Sequence, residues 1–129
     1  MNQDLHSNYI NGEWVGSSEI ISNINPSDTS DIVGRYAKAS NEDCLAAISA
    51  ANAAFEGWSQ SALEQRKTVL DFIGAELIAR SGEIGEILAR EEGKTRAEGV
   101  GEVYRSGQFF QYYGAEVLRL MGENTQSVR

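Results

Sequence analysis

Apolar and polar positions change rhythm once along the chain. Up to residue 39 they form short β-favouring segments broken by turn formers, and from Ser40 onward they recur at helical spacing. Tyr9-Ile10-Asn11-Gly12-Glu13-Trp14-Val15 sets Asn-Gly between two extended segments. That dipeptide accepts the positive φ angles of a tight turn, so it predicts a hairpin. Ile20-Ile21-Ser22-Asn23-Ile24 and residues 31–37 predict a second pair. Between them lie the turn formers Asn25-Pro26-Ser27-Asp28, with the chain's single proline.

Four helices follow in the pattern. Ser40 and Asp43 stand as a capping box, and Leu45, Ile48, Ala51 and Phe55 then recur on one face until Gly57-Trp58 closes the segment. Ser61 with Glu64 repeats the start signal ahead of Val69, Leu70, Ile73, Leu77 and Ile78. Ser81-Gly82 interrupts, and Ile84, Ile87 and Leu88 begin a shorter helix that stops near Gly93. The last helix is predicted over residues 96–121, with Val100, Val103, Tyr104, Gly107, Phe110, Gly114, Val117 and Leu118 facing inward. The pattern divides the chain into hairpins (1–39), helices (40–121) and a polar tail (122–129).

Gly74, Gly99, Gly101, Gly107 and Gly114 fall inside these helices. Each costs roughly 1 kcal/mol relative to alanine in a helix interior. Close approach to a neighbouring backbone would justify them, which predicts packing against something larger.

Composition narrows the class. With 129 residues, 41% hydrophobic and 23% charged, the chain reads as one soluble domain's worth of sequence. Its formal net charge of −8 repels phosphates, so neither nucleic acid nor an anionic membrane is an expected partner. The start Met1-Asn2-Gln3-Asp4-Leu5-His6-Ser7 lacks a basic region followed by an apolar core, and a cytoplasmic location is expected. A single cysteine, Cys44, excludes an intramolecular disulfide.

Candidate chemistry fails on its own terms. Gly93-Lys94-Thr95 invites a phosphate loop, but the position reserved for that loop's first glycine holds Leu88, and Glu91-Glu92 would oppose the phosphate. A glycine-capped helix end explains the segment better. Gly99-Val100-Gly101 begins a dinucleotide fingerprint, but Tyr104 replaces its third glycine and no strand precedes it. Cys44 follows Glu42 and Asp43, which disfavour a thiolate, and the sole histidine, His6, has no reason to reach it. Glu83, Glu86, Glu91 and Glu92 follow outward helical faces. Phe109-Phe110 and Tyr112-Tyr113 are core candidates first and substrate-channel candidates second.

Taken in order, several segments resemble the amino-terminal part of aldehyde dehydrogenases. Tyr9-Ile10-Asn11-Gly12-Glu13-Trp14 resembles that family's opening hairpin, and Asn25-Pro26-Ser27 with Val33-Gly34 its second. Ala50-Ala51-Asn52-Ala53-Ala54-Phe55 with Trp58 is similar to its first helix. Arg66, Leu70 and Ile73, then Leu88-Ala89-Arg90-Glu91-Glu92-Gly93-Lys94, resemble the next pair, and Glu102-Val103 before Tyr112-Tyr113 the long helix after it. The run from Arg90 to Thr95, with Glu98-Gly99 and Gly101-Glu102-Val103-Tyr104-Arg105, is most similar to the branch oxidising α-ketoglutaric semialdehyde.

The resemblance implies an α/β fold of which this chain is an α-rich fragment: two hairpins and about four helices of a cofactor-binding domain. It implies NAD or NADP as cofactor of the full-length protein, with none expected for this chain alone. In such enzymes a cysteine thiolate attacks the aldehyde, an asparagine amide and a backbone N–H hold the oxyanion, hydride passes to nicotinamide, and a glutamate-activated water hydrolyses the thioester. Those residues follow this region in the family, so no catalytic or cofactor-binding residue maps here, and Cys44 does not match the nucleophile. A monovalent-cation site maps onto Asn23, Ile24 and Glu102. The implied partners are the remainder of the chain and a homo-oligomer. The competing expectation is a stand-alone, non-catalytic helical interaction module, which a stop codon directly after Arg129 in the native gene would favour.

Overall fold

The computed structural model describes residues 5–119, 122 and 127. Two short strands, β2 (Asn8–Ile10) and β3 (Glu13–Val15), pair antiparallel with Tyr9 opposite Trp14. Asn11 and Gly12 turn the chain at φ 52° and 84°, the left-handed pair that gives a hairpin the right twist. β4 (Ile20–Ile24) pairs antiparallel with β5 (Ile32–Ala37), with an irregularity at Asn23/Ile24. Both predicted hairpins are therefore present. The second is larger than expected, because β1 (Leu5–His6) adds to β5 in parallel and makes the order β1-β5-β4. His6 stacks on Tyr36 with ring centroids 5.0 Å apart, so the polar start of the chain contributes a strand.

Four helices follow: α1 (Asn41–Ser59), α2 (Leu63–Ala79), α3 (Ser81–Glu92) and α4 (Arg96–Glu116), the last ending in a 3₁₀ turn, Val117–Arg119. α1 opens on the predicted capping box: the Asp43 backbone N–H donates to Ser40 Oγ, and the Ser40 N–H donates to the Asp43 carboxylate. It runs through Gly57-Trp58 to Ser59 instead of closing there. α4 carries a second capping box, Thr95 with Glu98. Leu120 and Met121, the expected end of the last helix, and most of the polar tail lie outside the described residues.

The start signal at Ser61 is a misreading that the structure explains. α2 begins after Ala62 with no side-chain cap. Ser61 Oγ instead donates to the Trp58 carbonyl at 2.7 Å and accepts from Arg66 Nε at 3.0 Å. Arg66 also donates to the carbonyls of Trp58 and Ser59 and lies over the Trp58 ring. The hydroxyl and guanidinium thus serve the last carbonyls of α1, which have no partners within the helix.

Packing concentrates on α4, which lies against both α2 and α3, whereas α1 reaches β2. The inward positions of α4 are Gly99, Val103, Gly107 and Gly114, flanked by half-buried Val100, Phe110 and Val117. Tyr104 and Leu118, expected inward, are exposed. Gly74 and Gly107 meet where α2 crosses α4: a Cβ on either would stand 2.7 Å from the other's carbonyl oxygen. Gly85 and Gly99 lie as close between α3 and α4: a Cβ at Gly99 would stand 2.3 Å from Gly85 O, and one at Gly85 2.5 Å from Val100 Cα. Gly74, Gly85, Gly99, Gly107 and Gly114 thus make close approaches within the chain itself. Gly57, Gly82 and Gly101 face open space.

The interior is thin. Among the described residues the buried apolar side chains are Ala37, Ala89 and Val103, and no large side chain is fully buried. Leu45, Ile48, Phe55, Phe72 and Phe109 are all exposed. Folded monomers keep most large aliphatic and aromatic side chains inside, so these helices present faces that their own neighbours leave bare.

Candidate functional site

Side-chain hydrogen bonds and an ion pair join residues 25–31, between β4 and β5, to the C-terminal end of α3. The Asn25 side-chain carbonyl accepts from the Ser27 backbone N–H at 2.9 Å, bending the loop onto itself. Ser27 Oγ then donates to the Gly93 carbonyl at 2.9 Å, against the left-handed glycine (φ 71°) that ends α3. A Cβ at Gly93 would meet Ser27 Oγ at 2.7 Å and Pro26 Cγ at 2.8 Å, so the cap and the loop fit only with glycine there.

Charge reinforces the joint. Arg90 grips Asp31 with both edges of its guanidinium, Nε to Oδ2 at 2.9 Å and Nη2 to Oδ1 at 2.6 Å, and Asn25 Nδ2 adds a third donor at 3.1 Å. The Arg90 hydrogen bonds, helped by Asn25, hold the Asp31 carboxyl at about 2, below its ordinary 3.8. Arg90 is raised in turn by Asp31. Asn23 Nδ2 donates to Glu91 Oε1 at 2.7 Å, tying β4 to the same helix. Lys94 bridges Glu102 at 2.6 Å and Glu92 at 2.5 Å, and those two partners, Glu102 first, raise it.

A cavity of about 210 Å³ opens beside this joint, lined by Asn25, Ser27, Ala89, Arg90, Lys94 and Arg96 among others. Its three cations are all engaged: Arg90 with Asp31, Lys94 with Glu92 and Glu102, and Arg96 with Glu86. An anion entering would have to displace a carboxylate from each, so the cavity does not suit a phosphate.

The residues named from sequence are scattered. Asn23 serves Glu91, Ile24 is exposed at the irregularity of β4, and Glu102 holds Lys94. Among the described residues no group of three or more His, Cys, Asp or Glu side chains could hold a metal. Cys44 is exposed on the first turn of α1, while His6 stacks on Tyr36. Gly93-Lys94-Thr95 is a helix cap followed by an N-cap, and Gly99-Val100-Gly101 lies inside α4 against Gly85. Sequence reasoning missed the Asn25–Asp31–Arg90 network, because Asp31 and Arg90 lie 59 residues apart and leave no periodic trace.

Comparison with known proteins places this architecture. A profile described as "Aldehyde dehydrogenase family" matches residues 14–129. The chain belongs to the aldehyde dehydrogenase family. It is 38% identical over 121 residues to an α-ketoglutarate semialdehyde dehydrogenase of Haloferax volcanii, an alignment covering 92% of this chain and 25% of that protein. A point mutant of Thermus thermophilus 1-pyrroline-5-carboxylate dehydrogenase superposes with a TM-score of 0.88 at 32% identity, covering 98% of this chain and 25% of that one. A Thermus 1-pyrroline-5-carboxylate dehydrogenase with bound NAD gives 0.84 and 32%, with the same coverage. The chain therefore spans about a quarter of the length of the family members it matches. Among its described residues no helix is long and apolar enough to cross a membrane.

Proposed function

We propose that this chain is the N-terminal part of an NAD(P)-dependent aldehyde dehydrogenase, with α-ketoglutaric semialdehyde as the leading substrate, oxidised to the carboxylate. The observation that carries this reading is the pair of coverages: nearly all of this chain aligns, yet to only a quarter of each relative. The substrate assignment leans on the Haloferax volcanii relative, and the Thermus structures make 1-pyrroline-5-carboxylate chemistry the second choice. In the same reading residues 1–39, 40–121 and 122–129 are the hairpins, helices and tail of one incomplete domain, and the full-length protein is cytoplasmic.

On its own, the chain neither oxidises aldehydes nor binds NAD or NADP. Two features support this: the cations of the described cavity are all paired with carboxylates, and Cys44 has acidic neighbours and no base beside it. The test is direct. A preparation whose intact mass equals the 129 residues, mixed with α-ketoglutaric semialdehyde and NAD or NADP, is expected to form no reduced cofactor. Aldehyde-dependent reduction by that preparation sinks the claim of inactivity.

The exposed apolar side chains also support self-association, in line with a homo-oligomer. Sedimentation velocity is expected to show dimers or larger species that grow with concentration. A single monomer boundary at every loading removes this part of the reading.

A further inference from the structure

We propose that the solvent face of α4 is a dimerisation surface for a second copy of this chain, laid antiparallel across a two-fold axis. The proposal rests on the self-association read above and assigns it a face. Arg105, Phe109, Tyr112 and Glu116 succeed one another at three- and four-residue steps, so they form one stripe along the helix. The stripe stands opposite the buried Val103, Gly107 and Gly114. Phe109 and Tyr112 are 53% and 59% exposed. Tyr113, also exposed, meets Tyr112 edge-on at 5.3 Å and widens the aromatic centre. The face is therefore aromatic in the middle, with a cation at one end and a carboxylate at the other.

That order of charges selects the occupant. In an antiparallel pair centred between Phe109 and Tyr112, each Arg105 lies across from Glu116 of the partner subunit, and aromatic side chains meet in between. Every contact then occurs twice, as an isologous interface requires. A parallel copy in the same register would set arginine on arginine and glutamate on glutamate. A foreign surface of one sign would satisfy one end of the stripe and oppose the other. Arg105 has its charge to offer: it donates to Gln108 Oε1 at 3.1 Å and lies over the Phe109 ring, and among the described residues it meets no carboxylate. Glu116 engages Arg119 through Oε1 at 3.0 Å, an exposed ion pair of small worth, and a carboxylate has a second oxygen for another guanidinium. The net charge of −8 opposes association at long range. At physiological salt that repulsion is screened beyond about 8 Å, whereas the paired ends touch.

The test is sedimentation velocity on the chain and on two charge reversals, Arg105→Glu and Glu116→Arg, each alone at several loadings and then mixed in equal amounts. Both positions lie on the side of α4 away from its packed glycines, so both variants are expected to melt close to the parent. Each alone should dimerise at least about ten-fold more weakly than the parent, because like charges then face each other at both ends. For Glu116→Arg net charge alone predicts the opposite, since the change brings the chain nearer neutrality from −8. The mixture is expected to recover the parent's affinity, because every glutamate of one variant then meets an arginine of the other. A parent that sediments as a monomer at every loading overturns the surface together with the self-association, and leaves the aldehyde dehydrogenase reading standing. Parent dimers that either variant retains at full strength overturn the surface alone. Weakened variants that the mixture does not rescue overturn the antiparallel pairing, and the proposal with it.

Discussion

Gly99→Ala is expected to destabilise the chain by about 2 kcal/mol or more, whereas Gly101→Ala, two positions along the same helix, should stabilise it by up to about 1 kcal/mol. Alanine is the better helix former at both sites, so propensity alone predicts two gains. The crossing geometry reverses the sign at one. A Cβ at Gly99 would stand 2.3 Å from the Gly85 carbonyl oxygen and 3.2 Å from Ala89, and the nearest obstacle is backbone, which no rotamer change can clear. α3 and α4 must then move apart, loosening Val100 and Val103, which lie at the same interface. At Gly101 nothing stands within 4 Å of the added methyl group. Thermal melting of both variants against the parent checks the pair, the expected loss at Gly99 being a fall in Tm on the order of 10 °C. A Gly99→Ala protein at least as stable as the parent would mean that the two helices do not approach this closely. Gly107→Ala should behave like Gly99→Ala, since its added carbon would meet the Gly74 carbonyl and Ile78 Cγ1 at 2.7 Å each.

The second large effect is acid sensitivity centred on Asp31. Its carboxyl is held at about 2 in the folded chain by the hydrogen bonds of Arg90 and Asn25, against 3.8 when those partners are gone. A folded-state pKa below the unfolded one means that the folded state prefers the ionised form. The stabilisation is therefore fully present above about 3.8 and fades as pH falls through the interval down to about 2. At neutral pH Asp31→Asn should melt well below the parent, because the amide cannot accept from both edges of the Arg90 guanidinium as the carboxylate does. As the solution is acidified the two melting curves should converge. Glu98 and Glu83 are also lowered, by Thr95 and Arg80 respectively, and they titrate in both proteins alike, so the difference between variant and parent isolates Asp31. A melting difference that stays constant from neutral pH down to about pH 2 would show that the ionised pair contributes nothing to the docking of residues 25–31.

Both effects lie at joints that the sequence could not display. Position 99 reads as a costly glycine in a helix, and so does position 101; what separates them is α3, the helix that precedes α4 and folds back along it. Asp31 reads as a strand-flanking acid and Arg90 as a helix-end base, and nothing in either neighbourhood announces the other. The N-terminal strand was hidden similarly. Leu5-His6 is too short to carry an alternating pattern and becomes a strand because β5 offers it a free edge. Ser61 shows the converse hazard, since a sound start signal was overridden when the preceding helix end needed a donor.

The sequence by itself determined what depends on near neighbours along the chain: the Asn11-Gly12 turn, the capping box at Ser40, the left-handed stop at Gly93 and the four helical stretches. The ordered series of such segments also sufficed for the family resemblance. Tertiary structure alone decided which glycines are contacts and which are open, which carboxylate captures which cation, and that the apolar line of α1 is left bare. Local signals act over one or two turns of backbone and are written where they act. Close packing, ion pairing and exposure depend on surfaces that arrive from elsewhere in the chain.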